Sequence, residues 1–185
     1  MTVNGLDDRI ALVLIDLQVG TTSNPTAHPV AEVLARASEL LETFRSRNLP
    51  VVIATVDGTP AGQTAYGAGA REFPEAFRTP VPGFVPTTGD LTVNRQTWSA
   101  FAGTDLDAQL RDLGVTQIVL AGLATSFGVE STARAAYDLG YSVVLAVDAA
   151  TDPSLDSHNH TITRVFPALG QTESTAAIIE ILTAR

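Results

Sequence analysis

Short apolar runs rich in β-branched residues alternate along this chain with stretches whose apolar residues recur at helical spacing. That alternation leaves few folds open besides parallel βαβ units. Residues 10–15 read as a buried strand, 51–56 as the second and 91–94 as a short third. Between the first two, Val30, Val33, Leu34, Ala37, Leu40, Leu41 and Phe44 fall on one helical face, with Pro29 suited to the first helical position and Pro50 just past the end. Further strands are expected at 115–121, 141–147 and 171–173. A capping box of Thr104 and Asp107 would open a helix ending at Gly114, and a helix from Ser126 to Leu139 would be capped by Gly140. Helices over 157–169 and 175–183 complete the pattern. The expectation is a single α/β domain over 1–185, a three-layer Rossmann-like fold with a mainly parallel sheet flanked by helices.

Residues 57–88 break the pattern with Gly, Pro, Ala and Thr, in a loop longer than a simple connection and of the kind used as a lid or interface. The net charge of −9 argues against nucleic acid or an anionic membrane as partner. No apolar run reaches the ~18 residues of a membrane span, and no export signal is evident, so a cytoplasmic protein is expected. The chain has no cysteine, which removes disulfides, thiolate metal sites and thiol catalysis. It also has arginine but no lysine. Codon bias accounts for that on the surface, but not at a reactive position, where the two differ chemically.

In an open α/β sheet, ligands sit at the carboxyl ends of the strands near the switch in strand order. Three features converge there: Asp16 after the first strand, Arg95 after the short strand, and the turn from Gly122 into the helix at Ser126. Taken alone, Asp16 reads equally as a loop-capping residue, Arg95 as its ion-pair partner, and Gly128 as a position of close helix–strand packing.

The segments IALVLIDLQ (10–18), GDLTVNRQTWSAFAGTDLD (89–107), GLATSFGVESTARAAYDLGY (122–141) and HNHTITRVFPALG (158–170) resemble the isochorismatase-like hydrolase superfamily, and the resemblance runs along essentially the whole chain. That superfamily includes nicotinamidases, carbamoylsarcosine amidases and isochorismatases, most of which use an Asp, a Lys and a Cys nucleophile. The resemblance implies that Asp16 handles the proton. It sets Arg95 at the Lys position (Asn94 if the register slips by one) and Gly128 at the Cys position. Arg supplies charge and a bidentate fork, with which Arg95 is expected to hold an anionic group of the substrate, but it does not shuttle protons. Gly128 offers no nucleophile, only a backbone N–H for developing charge. A non-proline cis peptide would fall between Leu123 and Ala124.

The glycine moves the chain away from the amidases, towards members that hydrolyse a vinyl ether by acid protonation of carbon. Arg95 beside Asp16 lowers the carboxyl pKa, so whether Asp16 acts as acid or as base stays open. The resemblance implies substrate contacts from Gln18, Trp98, Ala124, Thr125 and Ser126. Ser99, Thr125 and Ser126 are set aside as replacement nucleophiles for want of a His base at a matching position. Nicotinamidases carry Asp-x-His-x-x-His where this chain has Asp57, Gly58, Thr59 and Pro60, and His158 and His160 read as surface or helix-end residues. No metal and no cofactor are therefore expected. A homo-oligomer acting on a small, carboxylated molecule is implied; the competing reading is a catalytically inactive member that binds a small molecule or forms an assembly.

Overall fold

The computed structural model describes residues 5–65 and 67–184. Its centre is a six-stranded parallel sheet: β1 (Ile10–Ile15), β2 (Val51–Val56), β3 (Leu91–Arg95), β4 (Gln117–Leu123), β5 (Ser142–Thr151) and β6 (Gln171–Glu173). The spatial order is β6-β5-β4-β1-β2-β3. The chain builds outward from β1 in one direction and then returns to β1's other side with β4, so the switch in strand order falls between β1 and β4.

Alternation along the strands divides the core into two layers, because successive side chains leave opposite faces of a sheet. Leu12 and Leu14 pack with Val33, Leu40, Leu41 and Phe44 of the helix Val30–Ser46 and with Ile178 and Leu182 of the helix Thr175–Thr183. Ala11, Val13 and Ile15 face the other way, onto Leu106 and Leu110 of the helix Leu106–Asp112, Val129, Ala133 and Ala136, and Phe166. All six residues of β1 are buried, and each large one contributes about 1.5–3 kcal/mol. Helices on both faces make the expected three-layer α/β architecture.

Several local expectations shift. Pro29 is the N-cap of its helix rather than its first residue. β4 runs two residues later than read from the sequence. β5 extends to Thr151, because a bulge between Leu120 and Gly122 lets the strand re-pair as Gly122↔Ala150 and Leu123↔Thr151. The capping box does not form. The Thr104 hydroxyl donates to the Ala100 carbonyl at 2.7 Å, while Asp107 is engaged by Arg111 and by the Tyr141 hydroxyl at 2.8 Å. The helix Glu130–Asp138 is entered through a π-helical turn, Thr125–Val129, and the segment expected as one helix over 157–169 is Leu155–His160, a π turn Thr161–Val165 and Phe166–Leu169. The long loop forms an arm: Gly58–Thr59 pairs antiparallel with Arg71–Glu72, and Gln63–Thr64 with Gly67–Ala68. Among the described residues, no helix is long and apolar enough to cross a membrane.

Candidate active site

The carboxyl edges of β1, β2, β3 and β4 are held level by register: Ile15 lies opposite Ala54 on one side and Gly122 on the other, and Val56 opposite Arg95. The approach at Gly122 is close enough that a Cβ there would meet the Ile15 carbonyl oxygen at 2.1 Å, and its φ of +123° suits glycine alone. Asp16 follows β1 with φ +51°, a left-handed conformation that an L-residue adopts at a cost and that collects at functional sites. Its amide donates to the Ala54 carbonyl at 2.9 Å, and its carbonyl accepts from the Thr21 hydroxyl. The backbone is thereby fixed while the side chain turns over the sheet edge.

Arg95 meets that side chain with a bidentate fork, Nη1 to Oδ1 at 2.7 Å and Nη2 to Oδ2 at 3.0 Å. Two further donors are drawn to the Trp98 carbonyl, from Nε at 3.3 Å and Nη2 at 3.0 Å. The Arg95 side chain is 1% exposed and that of Asp16 10%. Burial pushes the Asp16 carboxyl above the usual carboxylate range, and the Arg95 charge and hydrogen bonds pull against it without reversing the direction.

Gly128 closes the group from the π turn. A Cβ at this position would stand 2.9 Å from Ile15 Cγ2, 3.2 Å from Asp16 Oδ2 and 3.3 Å from Arg95 Nη2. The guanidinium thus occupies space that a side chain at 128 would need. Ile15, Asp16 and Arg95 together crowd position 128, the Ile15 methyl most closely, and glycine is the residue that fits without a shift. The Leu123–Ala124 peptide is cis, where the resemblance sets it.

Asp16, Ala124 and Gly128 open onto a cavity of about 230 Å³, with Trp98 and Phe127 on its wall. The two rings stand perpendicular, with centroids 5.0 Å apart, and are 59% and 40% exposed. The expected site residues therefore divide. Asp16, Trp98, Ala124 and Gly128 line the cavity; Arg95, Gln18, Thr125 and Ser126 do not. Gln18 is fully buried and its amide is consumed by backbone: Nε2 donates to Val56 and Arg78 carbonyls at 3.0 and 2.9 Å, and Oε1 accepts from Val56 N–H at 2.9 Å. It ties the loop after β1 to β2 and to the helix Glu75–Arg78. The Ser126 hydroxyl and amide both donate to Asp152 Oδ2, at 2.7 and 2.8 Å. Thr125 Oγ1 lies 2.9 Å from His158 Nδ1, in the interior.

His158 is a correction in its own right: it belongs to the helix Leu155–His160 but is buried, edge-on to His28 at 4.6 Å between centroids. Burial first, and His28 second, hold its pKa below the usual imidazole range, against an opposing pull from Asp152. Among the described residues, no group of three or more His, Cys, Asp or Glu is placed to hold a metal ion. Residues the sequence reading missed are Phe127, Asn24 and Gln96, all on the cavity wall. Phe127 was recoverable, being the neighbour of Gly128 in an exposed turn; Asn24 and Gln96 lie in irregular segments without periodicity.

Comparison with known proteins agrees with this fold. The Isochorismatase domain model matches residues 10–177. The chain is 37% identical over 187 residues to the isochorismatase family protein YwoC of Bacillus subtilis (strain 168), covering 97% of each. It is 34% identical over 140 residues to the streptothricin hydrolase of Streptomyces noursei, covering 75% of this chain and 48% of the relative. The solved structure of an isochorismatase family protein from Burkholderia thailandensis superposes with a TM-score of 0.90 at 37% identity, covering 97% of this chain and 98% of that one.

Proposed function

The chain belongs to the isochorismatase family of hydrolases, and from that premise we propose that it hydrolyses a C–O or C–N bond of a small, carboxylated molecule by a thiol-free, water-dependent route with Asp16 as proton donor. The observation that carries this reading is the state of Asp16: a carboxyl pushed up by burial, fixed by Arg95, and open to the cavity. A general acid must hold a proton near the working pH and lie within reach of the reacting atom. In this scheme Asp16 delivers its proton to the vinyl carbon of an enol ether, or to the leaving nitrogen of an amide. Water adds to the carbon that becomes electron-poor and returns one proton to the Asp16 carboxylate; the C–O or C–N bond then breaks, and in the ether the proton of the added hydroxyl passes to the leaving oxygen as the carbonyl forms.

Backbone amides at Ala124 and Gly128 would face charge developing on substrate oxygen. Gly128 leaves no side chain for a covalent intermediate at that position. The sequence-based role of Arg95 as the grip for a substrate anion is replaced: buried off the cavity wall, with four of its five N–H donors on Asp16 and Trp98, it acts as a positioning residue for Asp16. Gln18, Thr125 and Ser126 likewise support the loops around the cavity instead of touching substrate. A cytoplasmic homo-oligomer belongs to the same proposal, resting on the acidic, cysteine-free chain and on family resemblance.

The test is turnover of isochorismate and of a panel of small amides and vinyl ethers by the wild type and by Asp16→Asn. Turnover lost in the variant supports an Asp-dependent hydrolase and identifies the bond class. Substrate analogues bound but unchanged by the wild type would replace this reading with the binding-protein alternative.

A further inference from the structure

The cavity beside Asp16 is not isolated. Thr59, Pro60, Trp98 and Phe127 line it and also line a second cavity of about 370 Å³ between those rings and the arm of the long loop. The first alone, about 230 Å³, is smaller than the ~300 Å³ at which small-molecule sites begin; joined through the shared wall, the two fall within that range. The second is walled mainly by apolar atoms, including Ala65 and the glycines Gly62, Gly67 and Gly69. It also contains Arg71. Among the described residues, Arg71 is the one basic residue on the wall of either cavity, and no ion pair engages it there.

These observations separate two functions that one arginine was expected to combine. Arg95 is buried, off the cavity wall, with four of its five N–H donors engaged by Asp16 and Trp98, so it is not placed to grip a substrate anion. Arg71 is exposed and unpaired at the far side of the aromatic corner. We propose that the substrate is bipartite: the scissile bond sits at Asp16, a planar or apolar middle lies against Trp98 and Phe127, and a terminal carboxylate is held by Arg71. Perpendicular rings at 5.0 Å present one face and one edge, which suits a flat apolar group. The guanidinium fork matches a carboxylate in geometry. The placement of the scissile bond rests on the hydrolase reading above; the binding half does not.

Trp98 is the only tryptophan, so its fluorescence reports occupancy of this corner directly. The probes are 4-phenylbutanoate and 4-phenylbutanamide, which share a body and differ in the terminal charge, titrated into wild type, Arg71→Gln and Arg71→Lys. The expected result is quenching by the acid with at least about fivefold tighter binding than the amide, a preference erased by Arg71→Gln and partly kept by Arg71→Lys. Equal affinities, no response to the acid, or a preference that survives Arg71→Gln would overturn the proposal. Arg71 is exposed, and its strand pairs through backbone, so both variants should keep the wild-type melting temperature. Each titration is repeated in the Asp16→Asn background, where hydrolysis of the amide probe does not intrude on the readout. A protein inert on the substrate panel but with the Arg71-dependent preference loses the hydrolase reading alone, whereas an active protein without the preference loses only this subsite.

Discussion

Replacing Arg95 with methionine keeps an unbranched stem in the pocket and deletes the charge. Wild-type Arg95 gives Asp16 two hydrogen bonds, at 2.7 and 3.0 Å, in a setting where its side chain is 1% exposed. Where Asp16 holds its proton no charge is left behind, but where it is ionised, removing its partner strands a buried charge at a cost of about 3–5 kcal/mol. For a chain of this length that lowers Tm by roughly 6–20 °C. The pH dependence separates charge from packing. Asp16 has a folded pKa above its unfolded value, so its contribution to stability is greatest when protonated and falls as pH rises through that folded value. Without Arg95 the folded value climbs further, and the loss continues over a wider window. Thermal melts of wild type and Arg95→Met at pH 7 and pH 5 should therefore show a large deficit at neutrality that narrows in acid. A deficit equal at both pH values would assign the whole effect to packing, and a fall under about 2 °C at pH 7 would refute the buried-pair argument altogether.

Gly128→Ala forces a Cβ to within 2.9 Å of Ile15 Cγ2 and 3.2 Å of Asp16 Oδ2, at a cost of about 1–3 kcal/mol; combined with Arg95→Lys the penalty should shrink, and a double-mutant cycle by denaturant melts checks the coupling. His158 is held neutral by burial, so it costs stability as pH falls through the unfolded imidazole range near ~6.5. In His158→Gln the loss of Tm between pH 7 and pH 5 should be smaller than in wild type. Tyr141 has its phenol pushed up to about 12 by burial and by Asp107. An ultraviolet difference titration of wild type against Tyr141→Phe should place the lost phenol's ionisation at about 12, and Tyr141→Phe should cost about 0.5–1.5 kcal/mol without changing turnover.

The layers of this fold were legible because a fully apolar strand such as β1 cannot be satisfied on one face alone, and the helical stripe from Val30 to Phe44 supplies one of its two covers. Asp16 and the turn after Gly122 were legible because strand ends in a parallel sheet converge at the order switch, whereas Ala124 and Gly128 were marked by the family resemblance. What sequence proximity could not tell was where polar atoms point. Gln18 stands two residues from Asp16, yet its amide is captured by backbone near Val56 and Arg78, partners distant in the chain. The π turn also altered the outcome: its extra residue carries Thr125 and Ser126 towards His158 and Asp152 while Phe127 and Gly128 face the cavity. Burial of His158 was invisible for a similar reason, since it depends on His28 arriving from the other end of the chain. The 57–88 loop has no period to read, and its pairing into an arm beside Trp98 emerges only in three dimensions.

The most direct test of the central claim is a ¹³C NMR titration of the Asp16 carboxyl, assigned by subtracting the Asp16→Asn spectrum. A midpoint clearly above the ordinary ~3.9 is the predicted result and leaves Asp16 able to donate a proton. A midpoint below that value would mean that Arg95 wins over burial, and the general-acid account would be wrong.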